Sequence, residues 1–448
     1  MEFKEFLKNA AHVKPTQNQL NHLRETPFYA FVHFSPNTYT NLEWGDGTED
    51  PAIFNPTELD CDGWAKAIKD AGMTGMVLTA KHHDGFCLWQ TQYTEHSMKN
   101  SPYKNGKGDI VMEAAEACKK HGLKFGFYLS PWDRNSKYYG TDEYNTYYKN
   151  QLTELLTNYG EIFYVWFDGA CGEGPNGKKQ VYDFEGYIEL IKKYQPQANI
   201  FHDGGTIRWC GNESGIAPFA QWAVVPMELC PMNTPQTNGA LVDGSLEFIY
   251  NTNITIGSLQ QIMYSKGLVF APSETDMSIR PGWFYHENEE PHSLERLFNT
   301  YLRSVGNNGV FNLNIPPMPN GKFNEKDVVR LHELGEKLRK EFKTNLAHGI
   351  GFQALPGFGE TQPEYVLKLD KKETVNYIEI AEKISEGQRI ESFTVFAKDS
   401  RNVWSELTQG TTIGSRKIIK IEPYETQEIK IRVTSSRDIP EIEWIKFF

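Results

Sequence analysis

From Phe28 to about residue 314, short apolar, β-branched or aromatic runs alternate with stretches whose apolar residues recur every three to four positions. That is the rhythm of repeated strand–helix units. The runs are Phe28–Phe34, Gly75–Ala80, Leu123–Leu129, Ile162–Phe167 and Asn199–His202, then a poorly marked sixth near Phe219–Val225, then Gly267–Ala271 and Gly309–Leu313. Between them lie helical faces such as Trp64, Ala67, Ile68 and Ala71, stopped by Gly72, and Leu152, Leu155, Leu156 and Tyr159, stopped by Gly160. Seven clear units and one faint one predict an α/β fold, a (β/α)8-like barrel; an open doubly wound sheet is the alternative. An amphipathic helix with Val328, Leu331, Leu334 and Leu338 closes this region. The period then changes to two, as in Tyr365–Leu369, Phe393–Val395 and Ile429–Val433, which predicts a C-terminal β-sandwich. The expected organisation is a catalytic domain over residues 1–345 and a β-sandwich accessory domain over 352–448.

Composition narrows the partners. A net charge of −12 repels nucleic acid and anionic lipid surfaces, so neither is expected to bind. No apolar run approaches the length of a membrane span, so no membrane insertion is expected. Ten Trp, 22 Tyr and 27 Phe make 13% of the chain; most of these rings pack, but indole and phenol faces also suit the C–H faces of sugars. The six cysteines, at 61, 87, 118, 171, 210 and 230, form no CxxC pair and are expected to be free thiols. The first 27 residues lack a signal-type apolar core; the protein is expected to be periplasmic or secreted if a leader has been removed, otherwise cytoplasmic.

In a barrel the chemistry collects at the carboxyl ends of the strands. The residues there are His33; Lys81, His82, His83 and Asp84; Ser130, Trp132 and Asp133; Asp168; His202 and Asp203; and Asn312. Asp168, directly after the run Tyr164–Phe167, is either a half-desolvated carboxylate poised for chemistry or a turn former before Gly169. Glu43, Glu213 and Glu274 compete for the role of a second carboxyl group, and spacing alone does not choose among them. His82, His83 and Asp84 suggest a metal set, but adjacent strand residues point to opposite faces, so hydrogen bonding to hydroxyl groups is preferred.

The ordered motifs resemble those of the α-L-fucosidases of glycoside hydrolase family 29. The matching segments are Phe31–Tyr39, Glu43–Gly47, Thr79–Phe86, Tyr128–Asp133, Val165–Ala170, Ser278–Tyr285 and Leu313–Pro317, so the resemblance covers about residues 25–340. It implies that Asp168 is the nucleophile. The stretch Arg208–Gly215 resembles the loop of the subgroup that prefers α-1,3- and α-1,4-linked fucose on branched, Lewis-type glycans, which implies Glu213 as acid/base. His33, Glu43, Trp44, His82, His83, Tyr128, Trp166 and Trp283 are the implied sugar contacts, and Arg280 is expected to brace its loop by ion pairing. Cys210 and the stretch Pro226–Asn238 match no family pattern.

The expected reaction is release of terminal fucose from a fucosylated oligosaccharide or glycoconjugate by double displacement, without metal or organic cofactor. The rival readings are a fucose-binding protein without turnover, a metal-dependent barrel hydrolase, and a glycosidase for another sugar such as an α-L-galactoside. Neither the oligomeric state nor the role of the tail is readable from the sequence.

Overall fold

A computed structural model describes residues 2–202, 204–230, 237–238 and 245–448. Eight parallel strands form the first domain: Phe28–Val32, Gly75–Lys81, Lys124–Leu129, Ile162–Trp166, Asn199–Phe201, Arg208–Trp209, Ser273–Ser278 and Gly309–Asn314. Their spatial order, fifth-fourth-third-second-first-eighth-seventh-sixth, leaves only the fifth and sixth unpaired, and a parallel bridge from Phe201 to Ile207 joins these. The sheet is therefore a nearly closed (β/α)8 barrel rather than an open doubly wound sheet.

The strands divide their side chains between two cores, as a period of two requires. Along the first strand Phe28, Ala30 and Val32 face the surrounding helices, while Tyr29 and Phe31 point into the barrel with Val77, Tyr128, Tyr164, Trp166 and Val310. Both sets are buried, so these strands read as unbroken apolar runs. The helices begin and end where their side chains dictate. Asp60 and Asp109 accept backbone N–H bonds at the starts of Cys61–Asp70 and Ile110–His121. Gly122 closes the second of these at φ +69°, a left-handed geometry that suits glycine. The closing helix spans Glu325–Glu341 and buries Leu331 and Leu334, while Val328 stays exposed.

Two expectations fail in the second half of the barrel. The sixth strand is Arg208–Trp209, not a segment near Phe219–Val225, and the seventh is Ser273–Ser278, not Gly267–Ala271. Val224–Pro226 instead pairs antiparallel with Gly267–Phe270 in a small three-stranded sheet. The polar run takes the barrel position because both of its carboxyl groups find donors there. Glu274 crosses the barrel to accept bonds from Tyr164 Oη (2.7 Å), Trp166 Nε1 (2.8 Å), Asn312 Nδ2 (3.2 Å) and the Tyr29 hydroxyl.

The C-terminal domain is an antiparallel β-sandwich. Two long strands, Glu364–Glu382 and Lys417–Ser436, pair through register shifts between Lys368 and Glu373 and between Val375 and Tyr377. Such shifts bend and twist a ladder. Its core includes Tyr365, Leu367, Phe393, Val395, Ile429, Ile431 and Val433, the positions that alternate in the sequence. Cys61, Cys87, Cys118 and Cys210 are buried thiols outside any disulfide. No helix among the described residues is long and apolar enough to cross a membrane.

Candidate active site

A cavity of about 220 Å³ opens at the carboxyl ends of the strands. His33, Glu43, Trp44, His82, His83, Tyr128, Trp166, Asp168, Glu213 and Trp283 all line it, joined by Phe31, Ala170 and Asp276. The ten residues implied as catalytic or sugar-contacting are thus brought to one place. Asp203 lies outside the described residues, and Asn312 is used inside the barrel on Glu274.

His82 and His83 do not point to opposite faces as strand alternation suggested. The strand ends at Lys81, just after a register shift between Thr79 and Lys81, and both imidazoles reach the cavity with ring centroids 4.2 Å apart. Asp84 turns away from them. It accepts from Ser35 Oγ (2.8 Å) and the Phe86 N–H (2.7 Å), and burial pushes its carboxyl up to about 7. Among the described residues, no three His, Cys, Asp or Glu side chains are grouped to hold a metal ion. Lys81, buried beneath, donates to Asp133 Oδ2 and Gln151 Oε1, both at 3.0 Å, and ties the second strand to the third-strand loop.

Burial holds all three cavity imidazoles below their ordinary range, His33 down to about 3 and His82 well below it, so they are neutral. Their partners then fix the tautomers. His33 Nδ1–H donates to Asn314 Oδ1 (2.9 Å), which leaves Nε2 an acceptor. Asn314 is itself fixed by donating to Ser278 Oγ (2.8 Å) and the Trp283 carbonyl (2.7 Å). The Ser130 hydroxyl donates to the Trp132 carbonyl (2.6 Å) and so accepts from His83 Nδ1–H (2.7 Å), which leaves His83 Nε2 an acceptor too. Asn37 Nδ2 donates weakly to His82 Nδ1 at 3.5 Å, so its Nε2 carries the proton. Two acceptors and one donor on rigid rings suit a ligand with several hydroxyl groups.

Asp168 lies two residues past the fourth strand, with its side chain 26% exposed. Its Oδ1 accepts the Ala170 N–H (2.7 Å), and its Oδ2 accepts the Tyr128 hydroxyl (3.2 Å) beside His83 Nε2 at 3.7 Å. Burial, then the neighbouring carboxylate, pushes the Tyr128 phenol well above its ordinary range, so it remains a donor. Trp166 is stacked on Phe201 at 4.2 Å and tied to Glu274, which fixes the floor.

Glu213 follows the sixth strand. Its Oε2 accepts Trp283 Nε1 at 3.1 Å. Of its two rivals, Glu274 is buried in the barrel and spent on four donors. Glu43 lines the cavity but braces the loop across it, accepting the Trp283 N–H (2.9 Å), the Phe284 N–H (3.3 Å) and His286 Nε2 (2.6 Å). The same loop is anchored by the buried pair of Arg280 Nε with Asp327 Oδ2 (2.8 Å). Trp44, 58% exposed, meets His83 and Trp132 edge-on at the rim.

Asp276 is the acidic residue that pattern reading passed over. It sits on the misplaced seventh strand, accepts Trp209 Nε1 (2.9 Å), and is pushed well above the carboxylate range by burial and then by Glu274. Pairing that run with Gly309–Asn314 would have exposed it. A second cavity of about 370 Å³ shares Trp166, Asp168, Ala170, Glu213 and Asp276 with the first and adds Phe167, Gly169, Phe201, His202 and Trp209.

Comparison with known proteins gives consistent results. The family described as Alpha-L-fucosidase matches residues 13–341. Alpha-L-fucosidase 1 of Arabidopsis thaliana is 39% identical over 447 residues, covering 93% of this chain and 84% of that protein. A Bacteroides ovatus protein of known structure superposes with a TM-score of 0.90 at 39% identity, covering 100% of this chain and 76% of that one. A Ruminococcus gnavus family 29 fucosidase, solved in complex with fucose, gives 0.83 at 30% identity, covering 98% and 95%.

Proposed function

The chain belongs to the alpha-L-fucosidase family and is a glycoside hydrolase; from that premise we propose a retaining mechanism with Asp168 as nucleophile and Glu213 as acid/base. The observation that carries this reading is that both carboxyl groups line one cavity floored by fixed aromatic rings and hydrogen-bonded imidazoles. Asp168 attacks the anomeric carbon while Glu213 gives its proton to the leaving oxygen; Glu213 then takes a proton from the water that releases fucose. Tyr128 and the Ala170 N–H orient the attacking carboxylate, and Trp283 orients Glu213.

Sugar recognition follows from the same set. His33 and His83 accept from hydroxyl groups, and His82 donates to one. Phe31, Trp44 and Trp283 supply apolar surface for the C6 methyl group, against which the extra hydroxyl of an α-L-galactoside would be desolvated without a partner. The second cavity, which shares Asp168 and Glu213 with the first, receives the leaving group. Its indole and imidazole lining supports a branched glycan partner, and we assign the preference to α-1,3- and α-1,4-linked fucose on Lewis-type structures.

The test is release of fucose from a Lewis-type trisaccharide, from 2′-fucosyllactose and from an aryl α-L-fucoside. The reading expects trisaccharide cleavage to exceed that of 2′-fucosyllactose. Preference for 2′-fucosyllactose would sink the linkage assignment. Binding of fucose without release from any substrate would favour a sugar-binding protein.

A further inference from the structure

We propose that the C-terminal sandwich positions the acid/base of the barrel, through Thr411, Lys417 and Gln388. The inference rests on the assignment of Glu213 made above. It starts from the sixth strand, which has only two residues and gives the segment after it little support of its own. On the barrel side the segment is held by the Cys210 N–H to Glu274 O (2.9 Å) and the Gly215 N–H to Asp276 O (3.2 Å). Around Glu213 it is knotted by Asn212. That side chain accepts from the Ser214 N–H (3.0 Å) and donates to Ile216 O (2.8 Å), so residues 212–216 move as one unit.

The segment beyond this unit, from Phe219 to Ala223, docks on the sandwich. The Phe219 carbonyl accepts Thr411 Oγ1 (3.1 Å) and Lys417 Nζ (3.3 Å). The Gln221 N–H donates to Thr412 Oγ1 (2.9 Å), and Gln388 spans the next turn, accepting the Ala223 N–H (2.8 Å) and donating to Gln221 O (3.0 Å). The barrel contributes Arg303 to Ala217 O (3.1 Å) and Asn307 to Pro218 O (2.7 Å), and Lys417 also donates to Asn307 Oδ1 (2.6 Å). Among the described residues no carboxylate forms an ion pair with Lys417, and burial holds its ammonium down to about 8. Lys417 is half-buried and spends its donors on a backbone carbonyl and an amide oxygen. The Phe219 ring, 80% exposed, adds little packing of its own to hold the segment.

Thr411 and Lys417 are therefore positioning residues, and their removal should mimic a partial loss of general acid catalysis. The double variant Thr411→Val/Lys417→Met is compared with wild type by kcat/KM on 4-nitrophenyl α-L-fucoside and on a fucosylated oligosaccharide. The first leaving group needs little protonation; the second needs it fully. We expect oligosaccharide cleavage to fall about tenfold, within the hundredfold that a misplacement of about 1 Å can cost, and the aryl substrate to stay within about twofold. The pair Thr411→Ser/Lys417→Arg, which keeps both donors, should restore the oligosaccharide rate. Equal losses on the two substrates, or no loss on either, would overturn the inference. If the double variant does not fold, Thr411→Val alone decides by the same ratio. Glu213→Ala is run beside them. Should it hit both substrates equally, the acid/base assignment falls; should it split them while the positioning variants do not, only the role of the sandwich falls.

Discussion

The two sides of the barrel mouth are built in different ways. On the side of the first four strands, which run five, seven, six and five residues, His33, His82, His83, Tyr128, Trp166 and Asp168 all lie within a strand or two residues past its end. On the other side the fifth and sixth strands have three and two residues, and Glu213 and Trp283 sit on loops. There, placement depends on tethers: Glu43 and Arg280 for the Trp283 loop, and the sandwich for the Glu213 loop. In the proposed reaction the half that grips the sugar and attacks it is rigid by strand geometry. The half that handles the proton and the variable leaving group is rigid by side-chain bonds, which substitution can loosen one at a time.

Variants at the two sides should therefore differ in kind. The largest effect expected on the tethered side is for Glu213→Ala, a loss of about 10²–10⁴ in kcat/KM on an oligosaccharide and far less on a nitrophenyl fucoside. Steady-state kinetics on both substrates checks this, and equal losses would put Glu213 outside proton transfer.

On the strand-built side the next effect is in stability. His33 is held neutral down to about 3 in the folded chain but takes a proton near its ordinary 6.5 when unfolded. A depressed imidazole contributes stability above pH 6.5 that is lost as pH falls toward 3. The wild type should lose up to about 1.4 kcal/mol per pH unit from this group between pH 6 and 4. Urea unfolding at the two pH values should show a shallower loss for His33→Gln; an unchanged slope would mean His33 is not buried neutral.

Smaller still is Trp283→Phe. It keeps an aromatic face and removes one hydrogen bond to Glu213, worth about 0.5–1.5 kcal/mol, so a two- to tenfold drop confined to substrates with poor leaving groups is expected. The least effect belongs to Asp276→Asn. With its carboxyl pushed far above the usual range, Asn reproduces the neutral form and the acceptor for Trp209, and kcat should stay within about threefold. A large loss there would show that Asp276 works as a carboxylate.

This division also explains what could be read from the sequence. Strands one to four are apolar on both faces, so their runs are visible, and the site residues lie within these strands or at most two residues past their ends. The seventh strand, Ser-Glu-Thr-Asp-Met-Ser, is buried throughout yet has no apolar signature, because Glu274 is hydrogen-bonded by donors from the first, fourth and eighth strands, a three-dimensional fact. The two-residue sixth strand is too short for any period to register, and Gly267–Phe270 copied the expected signal in the wrong sheet. The same blindness hid Asp276. Glu213 emerged only from the resemblance of its loop to that of a family subgroup. The sandwich was legible as alternation, but nothing along the chain linked Thr411 or Lys417 to a loop some 190 residues earlier.

Azide rescue of Asp168→Ala and Glu213→Ala, with the anomer of each fucosyl azide read by proton NMR, tests the central claim most directly. The account predicts β-fucosyl azide from Asp168→Ala, where azide replaces the nucleophile, and α-fucosyl azide from Glu213→Ala, where azide attacks the fucosyl-enzyme. The same anomer from both variants, or an α product from Asp168→Ala, would contradict the assignment of the two carboxyl groups.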